Sequence, residues 1–231
     1  MYTKKLIALG LNLTMFVLGI IGCSLEIGRG FVGVVRYYTF DSNLMGTVSS
    51  GILCAFIVIS LARDTETIPK WVLVFKYMST CMLTVTFLVV ITVLAPMYSS
   101  YFSSPVKAYT ALLFNGNMLY QHFLCPILAI TSTLFSDTPL SKDDRIFNSR
   151  PTPLKSALTA VIPTMLYAIV IVILNILKVI EGPYPFLMVY AQPVWASILW
   201  FIALFLLSGM IAWLLARFGT LLKNYKTVKN T

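Results

Sequence analysis

Charge is what this chain has least of: 17 Lys and Arg with 8 Asp and Glu among 231 residues, 11% in all. A water-soluble domain carries about 25%, so the polar side chains are too few to cover a soluble globule. Histidine is scarcer still. A lone imidazole, His122, excludes a haem held between two histidines of one chain, and a conventional zinc site needs three or four clustered His, Cys or carboxylate ligands. No metal and no cofactor is expected. The cysteines, Cys23, Cys54, Cys81 and Cys125, form no C-x-x-C pair and lie in apolar stretches, which leaves them as small buried hydrophobes rather than a disulfide framework. Lys/Arg-rich runs interleaved with aromatics are also missing. The net charge of +9 therefore does not indicate nucleic acid; the basic residues flank long apolar segments, as they do around membrane helices.

Apolar sequence is what the chain has in abundance: 58% of residues, with mean hydropathy +0.87. Six stretches stand out, about Leu6 to Leu25, Ser42 to Ala62, Trp71 to Ala95, a fourth within Ala108 to Phe135, Ser156 to Val179 and Val194 to Phe218. Each is long enough to cross a hydrocarbon core of about 30 Å as a helix, which satisfies its own backbone in lipid. The runs are continuous rather than alternating, which disfavours strands. The expectation is an all-α, polytopic membrane protein: one domain over residues 1–231, six transmembrane helices and both termini cytoplasmic. With the N-terminus inside, Arg29, Arg36, Lys107 and Lys178 fall outside. The other thirteen of the seventeen Lys and Arg, Lys5 and Lys76 among them, fall inside, a positive-inside bias. Tyr98, Tyr101, Tyr109, Tyr184 and Tyr190 form an outer aromatic belt, with Trp71 and Trp213 near the inner boundary. An integral protein of the cell membrane, with membrane lipids as partners, follows from this.

Two patterns are set aside. Lys4 and Lys5 before an apolar run ending Ile20-Ile21-Gly22-Cys23 imitate a signal peptide, but no polar mature start follows. Gly28-Arg29-Gly30-Phe31-Val32-Gly33 fits G-x-G-x-x-G, yet a dinucleotide site needs a strand before it, not a membrane helix. The inner connector Ser136 to Pro153, with Asp137, Asp143 and Asp144, lacks metal-loop spacing and reads as a solvated loop. No internal repeat is evident, which disfavours an inverted-repeat transporter.

Three patches carry the polar chemistry. His122 lies in the fourth segment with Asn115, Asn117 and Gln121. Polar groups at membrane depth turn toward the bundle interior or a wet cavity, and Asn115 and His122, seven apart, share a face if the helix is continuous. One imidazole can serve as general base for a hydroxyl; alternatively it glues helices through a hydrogen bond. The second patch is Arg36-Tyr37-Tyr38-Thr39-Phe40-Asp41-Ser42-Asn43 at the outer mouth of the second span. Its polar side chains suit capping of the first turn. In a catalytic reading Thr39 is the nucleophile, Asn43 or nearby N–H groups hold an oxyanion, and Arg36 holds an anionic head. Asp41, Glu26, Asn115 or Asn117 would orient the histidine. The third, Gly182-Pro183-Tyr184-Pro185-Phe186-Leu187, is a stiff outer loop that could roof the cavity near Thr39 and His122 with Tyr184.

These patches, in this order in a six-pass chain, resemble the androgen-induced / androgen-dependent TFPI-regulating family and its bacterial relatives. The resemblance rests on Tyr38-Thr39-Phe40 after a basic residue, His122 followed by Pro126, and Tyr184-Pro185-Phe186-Leu187. It implies a threonine hydrolase of fatty acid esters of hydroxy fatty acids, with Thr39 and His122 as the catalytic pair. Met188 stands where members often carry an acid, so no role of that acid carries over. The expected activity is hydrolysis of a lipid ester in a pocket open to the outer leaflet. The competing expectations are a non-catalytic lipid-binding or transport protein, and a scaffold whose Gly19, Gly22, Gly46 and Gly51 permit close helix packing.

Overall fold

Uninterrupted apolar sequence has one economical way to satisfy its peptide groups without water, the helix, and in the computed structural model, which describes residues 2–28, 30–64, 68–135 and 153–229, helices account for nearly everything. In chain order they are α1 (Tyr2–Ile27), α2 (Phe31–Val34), α3 (Tyr38–Ala62), α4 (Lys70–Val89), α5 (Ala95–Met97), α6 (Pro105–Phe114), α7 (Cys125–Phe135), α8 (Pro153–Ile176) and α9 (Val194–Lys229). No strand occurs among the described residues. Five of the apolar helices are long enough to cross a membrane: Tyr2–Ile27, Tyr38–Ala62, Lys70–Met97, Ala157–Ile176 and Val194–Gly219. This is the build of a multi-pass membrane protein. The connector 136–152 and Arg29 lie outside the described residues.

The fourth apolar stretch departs from the sequence expectation. It is a helix, a break and a second helix, because α6 ends at Phe114, Asn115 is extended (φ −90°, ψ 117°) and Gly116 takes a left-handed φ of 55°. Asn115 and His122 therefore do not share a helical face. A shorter apolar helix, Leu119–Leu134, follows. The Gly28–Gly33 match has α1 before it rather than a strand, and Gly30 serves the turn with φ 118°.

Proline shapes two further places. Val90–Leu94 and Leu119–Leu124 are π-helical turns, in which Ala95 N–H reaches back to Val90 O and Cys125 N–H to Tyr120 O. Pro96 and Pro126 follow one residue later in each case. A proline lacks the N–H for the carbonyl four residues earlier and its ring crowds that carbonyl; the wide turn relieves the crowding. Such turns concentrate at functional sites.

The packing is inverted relative to a soluble protein. Ser42, Ser49, Ser50, Ser79 and Thr80 are wholly buried, whereas Ile162, Leu166, Ile173, Leu199 and Leu206 are exposed. Hydroxyl pairs join neighbouring helices: Ser42–Thr86 (2.8 Å) and Ser49–Ser79 (2.7 Å) between α3 and α4, Thr80–Thr133 (2.9 Å) between α4 and α7. Such bonds are worth about 0.6–2 kcal/mol each in lipid. Lys76, counted from the sequence as a cytoplasmic charge, instead points into the bundle, donating to Ser50 Oγ (2.7 Å) and Met15 Sδ (3.1 Å). Lys5 is likewise buried, donating to Ser60 Oγ at 3.0 Å. The long Lys stems suit this, since their methylenes lie against apolar surface. All four cysteines are free and buried.

α1 and α3 run antiparallel, as Lys5 meets Ser60, Met15 meets Ser50 and Gly19 meets Thr47. Their closeness depends on glycine. A methyl on Gly19 would collide with the Thr47 side chain, one on Gly46 would lie 2.7 Å from Met15 Cε, and one on Gly51 2.7 Å from the Phe16 ring. Gly19→Ala is expected to destabilise by about 1–3 kcal/mol, read as a lower melting temperature in detergent. Gly10→Ala, on the same helix with nothing within 4 Å, is expected to cause no loss. Equal behaviour of the two variants would rule out this packing argument.

Candidate active site

Thr39 is the second residue of α3, placed there because the chain enters the helix from an extended Tyr37 (φ −92°, ψ 125°). The first-turn N–H groups of a helix have no partner within it. The sequence suggested that Thr39, Asp41, Ser42 or Asn43 would supply one; no side chain of the segment caps the helix. Two tyrosine hydroxyls from elsewhere do so. Tyr38 N–H donates to Tyr167 OH (3.0 Å) and Thr39 N–H to Tyr184 OH (3.3 Å). Tyr184 thus pins the loop between α8 and α9 over the mouth of α3.

The loop itself is held from both sides. Asn175 donates from Nδ2 to Ile180 O and accepts from Val189 N–H, each at 2.9 Å, while Gln192 Nε2 donates to Phe186 O at 3.0 Å. Gly182 lies against the backbone of Leu187 and Met188, where any side chain would intrude. Tyr184 stacks flat on Phe186 (centroids 5.2 Å, planes 5° apart) and takes Tyr37 edge-on at 5.9 Å. Burial pushes its phenol up to about 12, so Tyr184 remains a neutral proton donor throughout the physiological range.

His122 approaches from the other side of the cavity. Its Nε2 is 3.3 Å from Thr39 Oγ1, and its Nδ1 is 2.6 Å from the carbonyl oxygen of Leu112. A carbonyl only accepts, so in the neutral imidazole Nδ1 carries the hydrogen and Nε2 presents its lone pair. Thr39 must then donate to Nε2. Having one hydrogen, Thr39 can be met by Tyr184, 3.4 Å away, only as a donor. The geometry defines a single ordered chain, Tyr184 to Thr39 to His122 to the Leu112 carbonyl.

The break in the fourth stretch explains the last link. Leu112 lies in the final turn of α6, where carbonyls lack helical N–H partners, and the chain turns at Asn115–Asn117 so that the π turn carrying His122 faces it. The sequence proposed Asp41, Glu26, Asn115 or Asn117 to orient the histidine. None does. Glu26 accepts from Asn117 Nδ2 at 2.6 Å, and Asn115 is exposed at the break, outside the cavity.

Two other assignments also change. Asn43 cannot be the oxyanion donor, since its amide nitrogen is committed to Thr39 O (2.8 Å) and Gln121 O (3.0 Å). It braces the backbone of Thr39 against that of Gln121, the neighbour of His122. Arg36 does not line the cavity. Its guanidinium lies 5.1 Å from the centre of the Tyr37 ring and Nη2 donates to Tyr37 OH at 3.3 Å, a stacked arrangement worth about 0.5–1 kcal/mol where exposed.

The cavity holds about 670 Å³, within the usual range for small-molecule sites, about 300–1,000 Å³. Thr39 and His122 are 9% and 6% exposed, so the hydroxyl and the imidazole are largely screened from bulk solvent. Glu26, Gln121, Tyr37 and Tyr98 supply polar groups around the wall, with Phe40 and Leu94 among its apolar members. A hydroxyl, a base with its lone pair aimed at it and a neutral O–H donor alongside are the parts acyl transfer requires. No family model, no curated protein and no solved structure matches this chain.

Proposed function

We propose that this protein is a membrane-embedded hydrolase of a lipid ester, with Thr39 as nucleophile and His122 as general base. The observation that carries the proposal is the Thr39–His122–Leu112 chain, in which a backbone carbonyl fixes the tautomer that the chemistry needs. Thr39 Oγ attacks the ester carbonyl as its proton passes to His122 Nε2. As Thr39 Oγ bonds to carbon, the Tyr184 O–H that pointed at it turns to donate to the oxygen on which negative charge develops. The acyl C–O bond breaks and the leaving alkoxide takes the proton from Nε2. Water then attacks the acyl-threonine, gives its proton to Nε2, and the released acid leaves Thr39 reprotonated. The family resemblance implies Thr39 and His122 as the catalytic pair, in agreement with their two roles here.

The proposal includes a topology: six crossings, both termini cytoplasmic, with the site toward the outer leaflet. In it α6 and the helix of Leu119–Leu134 together form the fourth crossing. Leu119–Leu134 alone would span about 24 Å at 1.5 Å per residue, and the end of α6 packs beside its first turns, Leu112 against His122 and Phe114 against Phe123. Lys5 and Lys76 drop out of the interior charge count, and the excess of basic residues on that side persists.

The test is covalent labelling of detergent-purified protein by a fluorophosphonate carrying an alkyl chain. The native chain is expected to label, Thr39→Ala not at all and His122→Ala at least about 100-fold more slowly. Unchanged labelling in both variants would end the proposal. No labelling of the native chain, together with saturable lipid binding that survives Thr39→Ala, would point to a non-catalytic lipid-binding protein.

A further inference from the structure

Two spaces meet at Thr39. One is the cavity already described; the second is a narrow slit of about 40 Å³ between α4, α8 and α9. They share Thr39, Leu94 and Tyr184, and His122 borders only the larger one. The slit is walled by carbon, with Val85, Val89, Val90, Ala168, Phe186 and Leu204 around it. The hydroxyls near it are engaged: Tyr38 with Thr164 (2.7 Å), Thr86 with Ser42 (2.8 Å), and Tyr167 donating to the Arg36 carbonyl (2.7 Å).

A carbonyl carbon attacked by Thr39 carries three other substituents, and the site has a direction for each. The oxygen goes to Tyr184. The leaving alkoxide must go toward His122, the group that protonates it, and therefore into the large cavity. The acyl carbon chain is left with the slit. Resting on Thr39 as the ester-cleaving nucleophile, we infer that the substrate is an ester of a short acyl group with a bulky lipid alcohol. The slit receives the acyl group and the cavity the alcohol. One water needs about 10–15 Å³ and a methylene needs more, so a slit of about 40 Å³ takes at most about three carbons beyond the carbonyl. Acetyl to butyryl esters are the fitting class. Hydrolysis adds water across the acyl C–O bond and releases a short carboxylic acid and the lipid alcohol.

The experiment measures kcat/KM of the full chain in detergent for 4-methylumbelliferyl esters from acetate to palmitate. The expected profile peaks between acetate and butyrate and falls at least about 10-fold by octanoate, since each methylene a pocket refuses is worth about 10-fold or more. Ala168→Leu, which fills the slit, is expected to lower butyrate relative to acetate by about 10-fold. Leu204→Ala widens it and is expected to move the optimum to longer chains; it carries the test if Ala168→Leu does not fold. Thr39-dependent turnover that peaks at laurate or palmitate, or ratios unmoved in a folded variant, overturns the inference and leaves the hydrolase standing. Absence of Thr39-dependent turnover across the series overturns both.

Discussion

Replacing Thr39 by Val is expected to lower ester hydrolysis by about 10⁴-fold or more while leaving the fold intact. Valine keeps the β-branched shape and removes only the hydroxyl, so the wall of the cavity is preserved. The backbone N–H of residue 39 still donates to Tyr184, and the start of α3 remains capped. What is lost is the oxygen proposed to attack, for which this wall of the cavity offers no substitute: Ser42 Oγ is wholly buried, donating to Thr39 O at 3.0 Å and paired with Thr86. In serine hydrolases the equivalent deletion costs about 10⁶-fold, and activity left over comes from binding and the oxyanion donor. Thr39→Ser is expected to retain a measurable fraction, because the hydroxyl survives but loses the methyl that restricts its rotamer. The check is kcat/KM on a short-chain ester, with the melting temperature measured alongside. Comparable rates for the Thr and Val proteins would remove Thr39 from the chemistry.

The long helices were legible in the sequence because lipid leaves the backbone no alternative, and a run of apolar residues is visible without tertiary information. The approach of Thr39, His122 and Tyr184 was foreseeable only as an expectation, carried by their shared end of the bundle and by the family resemblance. The partner of Nδ1 could not have been read. It is a main-chain carbonyl, identical in every residue, and it becomes available only because Asn115-Gly116-Asn117 interrupts what looks like one span. That tripeptide, followed by Pro126, was the available signal: a left-handed glycine ends a helix, and a proline displaces the turn before it. Capping misled for a related reason. Asp41, Ser42 and Asn43 have the right chemistry for an N-cap, but the chain enters α3 at Tyr37, so they fall inside the helix and two distant tyrosines take over the task. Lys76 misled because charge counting assigns a lysine near the end of a span, here six residues into the stretch Trp71 to Ala95, to the nearer surface. Its position within α4 directs it at Ser50 and Met15.

Substituting His122 by Ala is expected to lower turnover by about 10³-fold, within the 10²–10⁴ that a positioned base contributes. The double variant with Thr39→Ala is expected to be no slower than Thr39→Ala alone, since groups that act as one unit are not additive. A spectroscopic readout separates this role from that of a helix-gluing side chain. His122 is the chain's single histidine, so protein labelled with ¹⁵N-histidine gives one imidazole, free of assignment ambiguity. At neutral pH its Nδ1 is expected to be the protonated nitrogen and Nε2 the bare one, because Leu112 O can only accept. In Thr39→Val, Nε2 loses its donor and its resonance is expected to move toward that of a non-hydrogen-bonded lone pair, while Nδ1 stays in place. The opposite tautomer, with the hydrogen on Nε2, would make Thr39 the acceptor of that bond. A hydroxyl held that way has no base to receive its proton, and the site would then be a binding pocket rather than a catalytic one.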